Sequence, residues 1–98
     1  MNFGKDVDEK LAVLGYKKTT ETLNQLKIIG NGINSAVGVV TYERKEALGE
    51  IHVVSLVKNL SGRCDLRSYE KSSMKAYGLS YTELELFMKK MKQIGFTK

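Results

Sequence analysis

The chain of 98 residues contains no proline and no tryptophan, one cysteine (Cys64) and one histidine (His52). Without proline, no segment is barred from the interior of a sheet by a missing backbone donor. A single cysteine excludes an internal disulfide and is typical of a reducing cytoplasm. One cysteine and one histidine cannot build a zinc site without several carboxylates or a second subunit.

No apolar run approaches the about 18 residues that a membrane span needs, so no membrane partner is expected. The first ten residues, MNFGKDVDEK, carry acids and lack the apolar core of a signal peptide, which predicts a cytoplasmic location. The hydrophobic fraction of 42% and the charged fraction of 28% are typical of a globular protein. This length predicts one compact domain with one modest core.

The net charge of +5 is concentrated in the last third of the sequence. Residues 63–98 hold eight Lys/Arg against four Asp/Glu, whereas residues 1–35 hold five against four. A basic surface favours a nucleic-acid partner. Many soluble domains are mildly basic for solubility alone, so charge by itself does not decide between the two interpretations.

Apolar spacing predicts a first helix over residues 6–14, with one face formed by Val7, Leu11 and Leu14. Either Asp6 or Asp8 caps its start, and Gly15 ends it.

A second helix is expected to begin near Thr19 or Thr20, because later apolar residues are helically spaced at Leu23, Leu26 and Ile29. The run LKII within it could equally begin a strand. Gly30-Asn31-Gly32 then breaks the chain. Residues 1–34 are therefore predicted to form a helical extension to a unit over 35–98.

Four strands are predicted after residue 35, over 36–43, 50–57, 63–70 and 76–81. The third alternates clearly, so that one face, assigned to the core, carries Cys64, Leu66 and Ser68. Its other face carries Arg63, Asp65, Arg67 and Tyr69.

A closing amphipathic helix is predicted over 82–94, with Thr82 as N-cap and Glu85 completing a capping box. Its apolar stripe is expected to pack on the sheet and consists of Leu84, Phe87, Met88, Met91 and Ile94.

No combination of residues predicts catalysis or a bound cofactor. His52 lies within a run of valines, where it is either a surface strand residue or a core histidine with its hydrogen bonds satisfied. Cys64 lies on the predicted core face and is expected to be an inert thiol. Glu83 and Glu85 point in different directions on a helix, so they do not form an acid–base pair. The sequence therefore predicts a non-enzymatic protein.

The remaining candidate is a nucleic-acid-binding surface. Cations that follow a phosphate backbone and aromatic rings that stack on unpaired bases together make a groove for a single strand. The candidate residues are Arg67, Tyr69 and Arg63 on one strand, with Lys58, Lys71, Lys75, Tyr77, Tyr42 and Arg44 nearby in the predicted fold. The alternative interpretation is a solvated strand face with ordinary tyrosines.

Residues 49–93 resemble the transcriptional positive-coactivator family, including its small bacterial and phage relatives. The resemblance lies in Asp65-Leu66-Arg67-Ser68-Tyr69, in Gly78-Leu79-Ser80-Tyr81-Thr82, and in the capped helix that follows. It covers roughly 45 residues. Tyrosine stands here where the family often has tryptophan, and residues 1–34 have no counterpart.

The resemblance implies an α+β fold in which a curved four-stranded antiparallel sheet is followed by one C-terminal helix. It also implies a homodimer that binds single-stranded or unwound DNA with little sequence preference; the choice between DNA and RNA stays open. Arg67 matches the family's DNA-contacting arginine and Tyr69 falls near its stacking aromatic, while Lys58 and Arg63 flank the basic hairpin turn. The implied role is in transcription, replication or recombination, including that of a phage or mobile element.

Two other hypotheses stay open. Residues 6–29 could form a helix–glycine–helix unit, with 36–57 as the wing of a winged-helix protein that binds duplex DNA. That unit needs a basic recognition helix, yet TTETLNQLK carries only Lys27. The third hypothesis is a small protein-interaction or inhibitor module that uses the same sheet.

Overall fold

A computed structural model describes residues 5–22, 36–59 and 61–96 of the chain. They form, in order, α1 (Lys5–Val13), β1 (Lys17–Thr22), β2 (Ala36–Lys45), a short 3-10 turn (Ala47–Gly49), β3 (Ile51–Asn59), β4 (Cys64–Glu70) and α2 (Tyr81–Gln93).

The four strands form one antiparallel sheet in the order β1-β2-β3-β4, so each strand pairs with its neighbour in the sequence. The predicted α+β class is confirmed: the chain forms a four-stranded antiparallel sheet, with one helix before it in the sequence and one helix after it. The β2–β3 connection reverses within the 3-10 turn, where Leu48 and Gly49 both adopt positive φ, at 64° and 79°. A tight hairpin of this kind fixes the register of β2 against β3.

Both helices pack on the same face of the sheet. Because side chains alternate along a strand, the even-numbered positions of β2 and β3 point toward the helices. The core consists of Val40, Tyr42, Val54 and Leu56 from the sheet, Val7 and Leu11 from α1, Phe87 and Met91 from α2, and Tyr16 and Phe96. Each fully buried aliphatic side chain contributes about 1.5–3 kcal/mol. On the predicted apolar face of the first helix, Val7 and Leu11 are buried as expected, whereas Leu14 follows the last residue of α1 and is 37% exposed.

The fourth strand is not the one predicted. Residues 76–81 form no strand and contribute a single bridge, between Ala76 and Tyr69. The sheet has four strands because β1, near the start of the chain, pairs with β2. A second helix was expected to begin in this segment, near Thr19 or Thr20, and that prediction is wrong. The sequence KKTTET has no apolar stripe to hold a helix on the core, whereas its backbone can pair with the long strand β2. The rest of that predicted helix lies outside the described residues.

Helix α2 begins at Tyr81, one residue earlier than predicted, and its N-cap lies two residues earlier than predicted. Its N-cap is Ser80, whose Oγ accepts a hydrogen bond from the Glu83 backbone amide (3.2 Å). The Glu83 carboxylate accepts one from the Ser80 amide (2.8 Å), completing a capping box. The predicted box of Thr82 and Glu85 is wrong because Glu83 has further partners across the core, which fix it in the N3 position.

The buried face of α2 is rotated from the predicted stripe. Phe87 and Met91 are buried as expected, but Leu84 and Met88 are 37% and 57% exposed. The helix buries Glu83 and Lys90 instead. Both are polar residues held by partners on other elements, and this is why hydrophobicity alone misplaced the buried face.

Candidate nucleic-acid interface

The sheet has a second face, called here the open face, that points away from both helices. It is formed by the odd-numbered residues of β2, β3 and β4 and by their partners in β1. The strand positions on this face are Lys17, Thr20, Thr22, Val39, Thr41, Glu43, Lys45, Ile51, Val53, Ser55, Val57, Asp65, Arg67 and Tyr69.

Arg67 and Tyr69 lie together on the open face, as the alternation of β4 predicts. Arg67 is exposed and lies opposite Ser55, and the half-buried Tyr69 lies opposite Val53. Both line a cleft of about 420 Å³, called here the β4 cleft, together with Ser55, Val57, Ser68, Met74 and Ala76. The predicted pairing of a cation with an aromatic ring on one strand face is therefore present.

Arg67 carries an uncompensated charge. The two acids on the open face are already paired: Asp65 with Arg63 (2.9 Å) and Glu43 with Lys71 (3.4 Å). Among the described residues Arg67 has no ion-pair partner within 4.0 Å, so its guanidinium is available to a phosphate. Exposed pairs such as the other two contribute little to stability and exchange readily for other anions.

The three remaining predicted cations of this region lie at the rim of the open face. Arg63 is exposed in the β3–β4 turn, and Lys71 and Lys75 are exposed in the loop after β4. Sequence reasoning missed two further cations, Lys17 and Lys45. They line a second shallow cleft of about 400 Å³ on the same face with Glu43 and Ile51. The register of β1 against β2, which places Lys17 opposite Glu43, could not be read from the sequence.

Tyr42 was predicted as a stacking platform, and this prediction is wrong. The side chain points to the helices and is 1% exposed. Its hydroxyl donates to Asp8 Oδ1 (2.5 Å), and its ring meets Phe87 edge-on with centroids 5.3 Å apart. Burial and the Asp8 carboxylate both raise the pKa of Tyr42.

Arg44 was also predicted to bind nucleic acid, but it is held within the protein. Its Nη1 donates to Glu83 Oε2 (2.5 Å) and its Nε to Glu46 Oε1 (2.7 Å). The guanidinium lies over the Tyr16 ring, 4.4 Å from the centroid, a cation–π arrangement. A phosphate could bind Arg44 only by displacing these contacts.

Lys58 and Tyr77 lie away from the open face as well. Lys58 points to the helix side, where its Nζ donates to the Gly95 carbonyl (3.4 Å). Tyr77 stacks on His52, with ring centroids 4.3 Å apart and planes 23° apart. Of the nine predicted residues, the structure thus brings together Arg67 and Tyr69, keeps Arg63, Lys71 and Lys75 at the rim, and separates Tyr42, Arg44, Lys58 and Tyr77.

His52 is a core histidine with satisfied hydrogen bonds, one of the two alternatives predicted. It is fully buried, with its Nε2 2.5 Å from Ser68 Oγ and its Nδ1 3.3 Å from the Tyr16 hydroxyl. Burial lowers the pKa of His52, and the positive charge of Arg44 lowers it further. The imidazole is therefore neutral at pH 7 and serves as a buried polar connector.

Glu83, at the start of α2, accepts hydrogen bonds from Tyr16, which also contacts His52, and from Arg44. Burial acts to raise the pKa of its carboxyl, but hydrogen bonds from Tyr16 and Ser80 and the charge of Arg44 outweigh burial and lower it to about 2. A second group of buried polar contacts joins α2 to α1, where the Nζ of the buried Lys90 donates to Asp8 Oδ2 (3.1 Å). Both groups of contacts connect separate elements of the fold to one another.

Two further expectations concern the cysteine and metals. Cys64 packs against the core and is half-buried, with its Sγ in contact with the Phe96 carbonyl. Within residues 5–22, 36–59 and 61–96, no three His, Cys, Asp or Glu side chains are grouped so as to hold a metal ion. No helix in the same ranges is long and apolar enough to cross a membrane.

Comparisons with protein-family models, with curated proteins and with solved structures found no match to this chain. The resemblance to the positive-coactivator family therefore stays a prediction, and the functional argument depends on the geometry of the open face.

Proposed function

We propose that this protein binds single-stranded DNA on the open face of its sheet, without catalysis and with little sequence preference. The observation that supports this most directly is the pair Arg67 and Tyr69. They lie two residues apart on one strand, beside a cleft of about 420 Å³, with the Arg67 charge unpaired among the described residues.

The proposed chemistry divides between charge and stacking. Arg67 contacts a phosphate, and Tyr69 stacks on an unpaired base, a contact worth about 1–3 kcal/mol. A duplex hides the faces of its bases, so Tyr69 distinguishes a single strand from a duplex. Neither contact reads a base edge, and for this reason little sequence preference is expected.

Four lysines extend the proposed track beyond the β4 cleft. Lys71 and Lys75 lie at the loop after β4, and Lys17 and Lys45 lie at the β1–β2 side of the same face. Lys45 lies opposite Ile51, and the Lys71 amide donates to the Ile51 carbonyl (2.9 Å), so the backbones of Lys45 and Lys71 are two strand spacings apart, about 10 Å. A single strand crossing the sheet would meet both groups. RNA offers the same phosphates and base faces, and it is an arm of the test.

The homodimer implied by the resemblance is part of the proposal. On the outer side of α2, Leu84 and Met88 are exposed and form a groove of about 660 Å³ with Cys64 and Leu66 at the edge of the sheet. β4 is the last strand of the sheet in the described part of the chain. Exposed apolar surface beside an edge strand is typical of a protein–protein contact, and we assign it to a second copy of this chain.

The test is fluorescence anisotropy with labelled oligo-dT, a duplex of equal length and an RNA oligonucleotide. Tighter binding to oligo-dT than to duplex is expected, with the logarithm of the affinity falling by about 0.7 per phosphate neutralised as the logarithm of salt rises. Absence of binding at low salt would overturn the proposal. A preference for duplex would favour the winged-helix hypothesis, although its second helix would have to begin in residues 17–22, which form β1.

The protein-interaction hypothesis makes a different prediction. If the sheet binds a protein instead, the double variant Arg67→Ala, Tyr69→Ala keeps its fold and loses no DNA affinity, because there is none to lose. The same titrations therefore separate the two classes of function.

A further inference from the structure

The loop that follows β4 is held in one conformation by the carboxylate of Glu70. Glu70 Oε1 accepts hydrogen bonds from the Ser72 hydroxyl (2.6 Å), the Ser73 amide (2.9 Å) and the Ser72 amide (3.1 Å). Its Oε2 accepts one from the Ile51 amide (3.1 Å). The hydrogen bonds from Ser72, Ser73 and Ile51 lower the pKa of Glu70. The carboxylate is therefore charged at neutral pH and accepts all four hydrogen bonds there.

This clamp places Met74 in a conformation that residues with a side chain rarely adopt. Met74 has φ of 62°, and its amide donates to the Glu70 carbonyl (2.8 Å). Glycine tolerates this region without penalty, whereas other residues pay for it in free energy. Met74 is also 66% exposed, so burial does not explain why an apolar side chain stands there. The presence of methionine at this position therefore needs an explanation other than packing in the core.

Met74 lines the β4 cleft together with Arg67, Tyr69 and Ser55. Ser55 is more than nine-tenths buried on the floor of this cleft, and within the described ranges no hydrogen bond joins its hydroxyl to another residue. The cleft thus combines an aromatic ring, a polarizable thioether, a free hydroxyl and a cation. Its volume of about 420 Å³ falls in the range of about 300–1,000 Å³ that is usual for small-molecule sites.

We propose that the β4 cleft is a subsite for one unstacked nucleobase, with Tyr69 and Met74 as its two walls and Ser55 as a polar group on its floor. Arg67 binds the adjoining phosphate. A base is a flat aromatic ring with a polar edge; a thioether contacts such a ring favourably, and a hydroxyl can serve either as donor or as acceptor to its edge. Because the Glu70 clamp holds Met74 in place before binding, the subsite is preformed. This inference rests on the proposed binding of nucleic acid and adds a residue that the sequence did not single out.

Met74→Gly tests the proposal with its own structural control. Glycine removes the side chain and also relieves the positive φ, so the melting temperature should not fall. The affinity for oligo-dT should fall about two- to tenfold, the range expected for one sulfur–aromatic contact. Met74→Leu restores an apolar wall and should recover part of the affinity.

Leu48→Gly is the matched variant. Leu48 also has positive φ (64°) and is 99% exposed, but it does not line the cleft. Its replacement should leave the affinity for oligo-dT unchanged. An oligonucleotide of equal length in which every base is removed supplies the second comparison, since it keeps the phosphates. Wild type and Met74→Gly should bind it equally.

The outcomes for the base subsite and for the proposed binding of single strands can be told apart. If wild type binds oligo-dT and Met74→Gly binds it equally well, the base subsite is wrong and the proposed function stands. The subsite is also wrong if Met74→Gly weakens binding to the abasic strand by the same factor, because the lost contact was then not with a base. If wild type binds no single strand, the proposed function fails and the subsite fails with it.

Discussion

The ring of Tyr77 stacks on the ring of His52, with centroids 4.3 Å apart, and this contact separates two tyrosines that the sequence placed in one groove. Tyr69 lies on the open face beside Arg67, whereas Tyr77 closes over a fully buried histidine on the helix side. The two residues should therefore respond oppositely to substitution: one in binding, the other in stability.

Tyr77→Ala is expected to lower the free energy of unfolding by about 1–3 kcal/mol, because it uncovers His52 and removes a stacked aromatic pair. Its affinity for oligo-dT, measured below its melting temperature, should match wild type.

Tyr69→Ala should weaken the affinity for oligo-dT by about 1–3 kcal/mol, and Tyr69→Phe, which keeps the ring, should retain most of it. Urea unfolding and anisotropy together check both variants; equal binding losses for Tyr69→Ala and Tyr77→Ala would contradict the assignment of faces.

Arg67→Ala should weaken binding about tenfold at low salt and reduce the salt slope by about 0.7, since one phosphate contact is lost. Lys58→Ala is the comparison, because Lys58 carries the same charge but points to the helix side. Its slope should stay at the wild-type value. The measurement is a titration of labelled oligo-dT at four or more salt concentrations. A change of slope in the Lys58 variant alone would place the DNA on the other face.

The alternation in β4 allowed the functional strand to be predicted, but the alternation in β2 did not. In β4 Cys64 and Leu66 lie on one face, and Asp65 and Arg67 lie on the other, so Arg67 could be assigned outward from the sequence. In β2 the neighbours Val39 and Val40 point to opposite sides, and each face also carries charged residues, so the pattern does not tell the two faces apart. Only the distant partners Asp8 and Phe87 decide that Tyr42 points inward, and their positions depend on the packing of two helices.

β1 could not be predicted for a related reason. Its six residues, KKTTET, are exposed or half-buried, so no buried face leaves a pattern in the sequence. The strand is positioned by backbone pairing with β2 and by Lys18, which bridges Asp8 (3.0 Å) and Glu21 (2.6 Å). The pairing with β2 and the bridge to Asp8 are contacts between segments, and local propensity contains no information about them.

Gly38→Ala should destabilise the fold by about 1–3 kcal/mol through overpacking. A Cβ at this position would lie 2.8 Å from Cζ of Phe96, which is buried against the sheet. Gly78→Ala is the control, because a Cβ there meets no atom within 4 Å and the backbone φ lies outside the positive region. Its melting temperature should remain close to wild type. Equal stability of the two variants would mean that Phe96 does not pack on Gly38.

The stability of the fold should depend on pH through Glu83. Its pKa falls from an ordinary 4.5 to about 2 in the folded protein, so its contribution is complete above about pH 5 and disappears as the pH falls toward 2. Glu83→Gln should therefore lower the free energy of unfolding by about 2–3 kcal/mol at pH 7, and the difference from wild type should shrink to near zero at pH 2.

Glu85→Gln provides the control for this measurement. Glu85 lies on the exposed side of the same helical turn, and its replacement should leave the unfolding free energy within about 0.5 kcal/mol of wild type across the pH range. Urea unfolding at several pH values gives all three curves. A constant difference between wild type and Glu83→Gln from pH 7 to pH 2 would show that the carboxylate charge is not what stabilises the network.

Met88→Glu should convert the proposed dimer into a monomer. Met88 is 57% exposed on the outer side of α2, and a carboxylate there would have to be desolvated in an interface formed with a second copy. Val13→Glu is the matched variant, because Val13 is an apolar residue of α1 that is 86% exposed and lies outside the groove of Cys64, Leu66, Leu84 and Met88. Sedimentation equilibrium should give twice the chain mass for wild type and Val13→Glu, and the single-chain mass of 11.0 kDa for Met88→Glu. A wild-type protein that sediments as a single chain at high concentration would remove the dimer from the proposal and leave the open face to bind a single strand alone.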